Sequence, residues 1–196
     1  MNFKDDGIFP NNPLPLLFYR QTLAPDTEDP ASIFEERFAE NDWTNSWRNG
    51  AYSFAHYHST SHEVMGVYSG AAKLRLGGED GQNVDVQAGN VIVIPAGVAH
   101  QNLGASDDFG VVGAYPDGRD WDLLRGLAGE RPRAEKNCRV ANSGRGPDLW
   151  RQRSIETHLA IRPHKAEMMM TTNYSVSASL AIPILALELM RHKLSR

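Results

Sequence analysis

The stretch His56-Tyr-His-Ser-Thr-Ser-His-Glu63 places three of the chain's seven histidines and one glutamate within eight residues. Neutral imidazoles with a carboxylate form the mixed nitrogen and oxygen set that suits a divalent transition ion, iron, manganese, nickel or zinc. Calcium and magnesium prefer shells of oxygen alone. A lone strand histidine is more often a hydrogen-bonded structural residue than a ligand, so spacing must carry the argument. In an extended strand side chains alternate, which turns His56 and His58 to one face and Tyr57 to the other. Ser59, Thr60 and Ser61 have turn character, and Glu63 then opens the next apolar run, so a hairpin can bring its carboxylate beside the two imidazoles. Pro95 and Gly97 shape a second turn just before His100, the fourth expected ligand. Four such groups leave one or two positions on the ion for water or substrate. His62 is expected to face away from Glu63, either standing behind the ligands or lying at the surface.

Those side chains need a rigid frame, and the run pattern supplies one. From Gly50 to about Tyr115 the sequence breaks into AYSFAHYH, EVMGVY, AAKLRL, NVDVQ, NVIVIP, AHQNL and FGVVGAY, separated by glycine and acidic turn signals. Seven short apolar runs of this kind predict an antiparallel sandwich or barrel. Tyr52 and Phe54 share the parity of His56, and Met65 and Val67 that of Glu63, so these residues either fill the barrel core, the more common role, or form an apolar and aromatic inner wall around the metal. Ahead of the barrel, Pro10, Pro13, Pro15, Pro25 and Pro30 mark an extended arm in which LLFY can form an edge strand. ASIFEERFAEN over 31–41 reads as a short amphipathic helix capped by Ser32 or Asp29. GRDWDLLRGLAGE is expected to be helical.

Gly50, His56-x-His58, Glu63 and Gly70 hold the spacing of the first cupin motif. Gly89, Pro95-x-Gly97 and His100 hold most of the second, whose usual closing asparagine is replaced by Gly104, with Asn102 two residues past His100. From about Pro10 to Asn137 the chain also resembles the YjlB-like small cupin family, through PNNPLPLLFYR, DW…WRNG, HYHSTSHEVMGVYSG, IPAGVAH and GAYPDGRDWD. The resemblance implies an all-β, single-domain cupin jelly-roll, a double-stranded β-helix barrel, with a metal in its mouth held by His56, His58, Glu63 and His100. It further implies a homodimer. The expected organisation is an N-terminal arm with the short helix over 1–49, the barrel core and a following helical segment over 50–137, and an irregular C-terminal extension over 138–196.

The extension differs in charge from the rest: residues 1–138 hold 11 basic against 20 acidic side chains, and residues 139–196 hold 9 against 4. Chains resembling this family end in a series like PxPxxDPxYGxxGPL. Codons for VANSGRGPDLWRQRSI, displaced by one nucleotide, permit LPIPAADPIYGASGPL. The expectation is a reading frame that slips near Cys138, with a genuine extension ending in an amphipathic helix over ALELMRHKL as the alternative; in either case the tail is expected to be poorly ordered or only loosely docked.

Composition excludes several classes. The net charge of −4 offers no concentrated basic surface for phosphates, so no nucleic-acid partner is expected. No run approaches the roughly 18 apolar residues of a membrane span. A single cysteine, Cys138, permits no internal disulfide, and the first residues lack a secretory apolar core, which places the chain in the cytoplasm by default. The functional expectation is a metal-dependent cupin enzyme, a dioxygenase or an isomerase or lyase, acting on a small polar metabolite. Tyr115, Asp117 and His62 are its candidate catalytic residues. The alternative is a non-catalytic metal-binding barrel that binds or senses a small molecule.

Overall fold

The computed structural model describes residues 1–143. The elements in order are β1 (Leu17–Tyr19), α1 (Pro30–Ala39), β2 (Trp43–Asn49), β3 (Glu63–Ser69), β4 (Ala71–Leu76), β5 (Gln82–Gln87), β6 (Val91–Ile94), β7 (His100–Ala105), β8 (Gly110–Pro116) and α2 (Arg131–Ser143). The strands form a five-stranded antiparallel sheet, β1-β6-β3-β8-β2, and a three-stranded one, β5-β4-β7. This is the expected all-β jelly-roll.

The apolar runs of β3, β6 and β8 are continuous because both faces of the larger sheet are covered, and residue parity sorts their side chains between two cores. Met65, Val67, Ile92, Ile94 and Val111 meet Leu74, Leu76, Val84 and Val86 of the smaller sheet in the barrel interior. Val64, Val91, Val93, Val112 and Ala114 take the opposite face and pack on Phe34 and Phe38 of α1. Glu63 shares the parity of Met65 and Val67, so the alternation that fills the barrel also delivers a carboxylate into it.

Helix α1 starts where its chemistry says it should: Asp29 accepts the Ser32 backbone N–H at 3.3 Å, and Pro30 stands at the first helical position. Its Phe34 lies against Gly66, where a Cβ would come within 2.7–2.9 Å of the ring, so the glycine in EVMGVY sets how closely helix and sheet approach.

Several expectations are corrected. AYSFAHYH is not a regular strand; it is an irregular segment tied by isolated bridges, His56 to His100 and Tyr57 to Leu124. WTNSWRN, within the stretch expected as arm, forms β2 at the edge of the larger sheet, with a bulge between Thr44 and Trp47. GRDWDLLRGLAGE is not helical: Gly118, Gly126 and Gly129 all hold positive φ, and the helix α2 begins only at Arg131. LLFY does supply the edge strand β1, paired with β6. Of the irregular extension expected over 138–196, residues 138–143 continue helix α2; the rest, with most of the stretch assigned to the frame slip and with His158, His164 and His192, lies outside the described residues. Among the described residues no helix is long and apolar enough to cross a membrane.

Candidate metal centre

The His56–His100 bridge builds the site. The two residues exchange both backbone hydrogen bonds, His56 N–H to His100 O at 3.1 Å and His100 N–H to His56 O at 2.9 Å, which sets their rings 4.1 Å apart. His58 follows on the same face, its ring 5.5 Å from that of His56 and 5.6 Å from that of His100. Tyr57, turned the other way, is buried with Phe9, Ala99, Leu124 and Ala134. The second turn is fastened to the first by Gly97. Its N–H donates to the His58 carbonyl at 2.8 Å, and its φ of +90° beside the Asn11 carbonyl leaves no room for a Cβ.

Each imidazole turns its Nδ1 to a backbone carbonyl: His56 to Phe54 at 3.2 Å, His100 to Val98 at 3.3 Å, and His58 to Asp122. A neutral ring in that setting carries its proton on Nδ1, which leaves the Nε2 lone pair facing inward. One nitrogen from each ring lies within 4.8 Å of the others, and all three residues are buried. Glu63 closes the group from β3, its Oε2 lying 3.3 Å from His100 Nε2 and 3.5 Å from His58 Nε2. That oxygen is buried and has no hydrogen-bond partner.

The electrostatics follow from burial. Burial drives the His56 imidazole down to about 3, helped by the neighbouring His100 and His58 rings. Burial works against ionisation of Glu63, but the facing His58 and His100 imidazoles outweigh it and hold the carboxyl well below the usual range. Burial lowers and Glu63 raises His58, with a net upward shift. A buried carboxylate among imidazoles is stable only beside positive charge. This donor set, three inward nitrogens around an orphaned anionic oxygen, fits a divalent transition ion and could hold one.

Of the three candidate catalytic residues, only Tyr115 reaches the cavity. Its hydroxyl donates to Glu63 Oε1 at 3.2 Å and accepts from Trp47 Nε1 at 2.9 Å, and burial pushes its ionisation far up, so it remains a proton donor. Asp117 lies past the end of β8 with its side chain 42% exposed and 3.7 Å from Arg119; it does not line the cavity. His62 does face away from Glu63, yet it is no part of the site: Nδ1 accepts the Ala96 N–H at 2.9 Å, the ring hydrogen-bonds the Ala141 backbone, and burial lowers it to about 4. Tyr52 and Met65 line the cavity as their parity predicts, whereas Val67 belongs to the barrel core.

The residues that sequence reading missed come from three segments. Asp122 accepts from the Ser59 N–H and hydroxyl, each at 2.6 Å, and from the Thr60 N–H at 3.2 Å, fixing the turn after His58. Asn137 of α2 donates to the same Ser59 hydroxyl at 3.0 Å. Trp121 packs 5.0 Å from the His58 ring, and Trp47 reaches in from β2. The helix expected over GRDWDLLRGLAGE gave Asp122 no place beside His58.

Comparison with known proteins agrees with this architecture. The Cupin domain family pattern matches residues 47–111. The uncharacterized protein YjlB of Bacillus subtilis (strain 168) is 39% identical over 140 residues, covering 71% of this chain and 82% of that protein. This chain belongs to the YjlB family of cupins. Among solved structures, a DUF861 family protein from Thermotoga maritima is similar at 13% identity, with a TM-score of 0.34, over 50% of this chain and 97% of its own. Acireductone dioxygenase from Bacillus anthracis, with cadmium in its active centre, is similar at 17% identity, with a TM-score of 0.34, over 56% of this chain and 78% of its own. Within this YjlB-family chain, the matched segment contains His56, His58, Glu63 and His100.

Proposed function

We propose that this YjlB-family cupin is a metal-dependent enzyme of small metabolites, in which His56, His58, His100 and Glu63 hold one divalent transition ion. The observation that carries the reading is the common orientation of the three imidazoles, each with Nδ1 on a carbonyl, around a buried Glu63 Oε2 that has no hydrogen-bond partner. When bound, such an ion supplies Lewis acidity and, as iron, a place for dioxygen beside the substrate.

The chain's own groups narrow the chemistry. The cavity, about 220 Å³, is lined by Trp47, Tyr52, Met65, Tyr115 and Trp121 around the four polar residues. Among the described residues lining it, no carboxylate or imidazole stands outside those four. Tyr115 keeps its proton and steadies Glu63, and Arg48 is spent on Glu35, to which it donates at 2.7 and 2.8 Å. An isomerase or lyase needs a base poised beside its substrate, which this wall does not offer. Dioxygen-dependent oxidation asks only for binding, orientation and exclusion of water, and with both oxygen atoms entering the product it needs no external reductant.

The test is the metal content of protein purified without an affinity metal, beside a His58→Ala control, followed by oxygen uptake by the iron-loaded protein. About one equivalent of metal, lost in the variant, is expected for a single site of this donor set. A chain that neither carries nor takes up metal overturns the reading.

A further inference from the structure

The cavity wall is more aromatic than a site for a small polar metabolite requires. Tyr52 and Trp121 line it, and at 47% and 38% exposure they are among the few large apolar side chains open to solvent in the described residues. Neither is loose. Tyr52 stacks on Phe54 at 4.9 Å and 23°, and Trp121 stacks on Tyr115 at 5.7 Å and 26°. Each stack also abuts a different histidine, Tyr52 edge-on to His56 at 5.1 Å and Trp121 tilted 5.0 Å from His58. Arg125 covers the Phe54 ring at 4.3 Å, which fixes the first stack further. Two partly exposed aromatic rings, held in place beside the imidazole cluster, form a preorganised surface for a flat ring.

Size and charge narrow the occupant. A cavity of about 150 Å³ already takes benzene, and this one measures about 220 Å³, enough for one substituted ring. Three neutral imidazoles, one carboxylate and a divalent ion sum to a single positive charge. In a buried site that charge favours a monoanion.

We propose that the cavity takes a monoanionic aromatic ligand, its anionic edge toward the histidine cluster and its ring against Tyr52 and Trp121, which select for flatness. This rests on the metal-site reading above and deepens it.

The test uses two probes that share a donor set and carbon skeleton and differ in aromaticity, 2-hydroxybenzoate and cis-2-hydroxycyclohexane-1-carboxylate. Calorimetric titration is run on the full chain loaded with zinc, after the metal stoichiometry has been measured, and on Tyr52→Leu and Trp121→Leu. The aromatic probe is expected to bind about tenfold more tightly than the saturated one, and each variant to lose most of that preference. Metal content is expected to stay at the parent level, and the saturated probe to lose less affinity than the aromatic one. Equal affinities, equal losses for both probes, or no binding of 2-hydroxybenzoate to fully loaded protein overturn the proposal and leave the metal site standing. Failure to take up zinc, in a chain that also fails with iron, manganese and nickel, overturns both.

Discussion

Asp122 stands behind His58: its backbone carbonyl accepts a hydrogen bond from the His58 Nδ1–H, while its carboxylate accepts the backbone N–H groups of Ser59 and Thr60. One residue therefore sets both the tautomer of a candidate ligand and the turn that leads from that ligand toward Glu63. Thr60 answers through its hydroxyl, which accepts the Asp122 N–H at 3.1 Å, so the loop and the turn hold each other. Ionisation is favoured there. Burial opposes it, but the Ser59 and Thr60 donors outweigh burial and hold the carboxyl below its ordinary value.

Asp122→Ala keeps the carbonyl that faces His58 but releases the turn. Outer partners of metal-ligating histidines typically govern affinity by about 10–100-fold, and a weakening in that range is expected from chelator competition. Asp122→Asn, which retains one acceptor, should fall between the two. Wild-type affinity in the alanine variant would show that the turn holds its shape without the carboxylate.

His62 provides the contrasting case. His62→Ala removes the acceptor for the buried Ala96 N–H and the bond to the Ala141 backbone, and it opens a void beneath α2. The expected cost is about 2–4 kcal/mol in denaturant unfolding. Metal content should remain at the wild-type level, whereas His58→Ala should lose it. A His62 variant of normal stability that fails to hold metal would place His62 in the site after all.

How much of this was legible depended on distance along the chain. His56, His58 and Glu63 sit on either side of one turn, and strand alternation with turn chemistry was enough to bring them together; His100 required the second turn at Pro95 and Gly97. Asp122 lies 64 residues from His58, in a loop with no periodicity, so only the folded chain could reveal its role. The helix α2 was missed because its inward residues, Ala134, Cys138 and Ala141, are small and make a weak apolar stripe. The more apolar DWDLLRGLAG attracted the expectation instead, and its glycines defeat it. Strand β2 escaped for the opposite reason: an edge strand of WTNSWRN exposes polar side chains on most positions and shows no buried run.

Tyr115→Phe tests the support of Glu63. The change deletes the donor to Oε1 and the acceptor of the Trp47 indole N–H, while the ring and its stacking on Trp121 survive. Leaving those partners unsatisfied should cost about 1–3 kcal/mol. Urea unfolding of the metal-free protein measures this, and a shift in tryptophan emission should accompany it as Trp47 loses its partner. A variant as stable as the parent would mean that water replaces the hydroxyl at no cost.

Cys138 reports on whether α2 stays docked. The thiol is buried against Ala96 and Ala141, and burial pushes its ionisation up to about 12. The thiolate is the reactive form, so at pH 8 only about one thiol in ten thousand is ionised, against roughly a quarter for an unperturbed cysteine. Iodoacetamide at that pH should therefore leave the native protein unmodified on a timescale that labels the urea-unfolded chain completely. Mass spectrometry reads the adduct directly. Because the same helix anchors Asn137 to Ser59 and Ala141 to His62, rapid labelling of native protein would mean that α2 detaches, and with it one of the braces on the turn after His58.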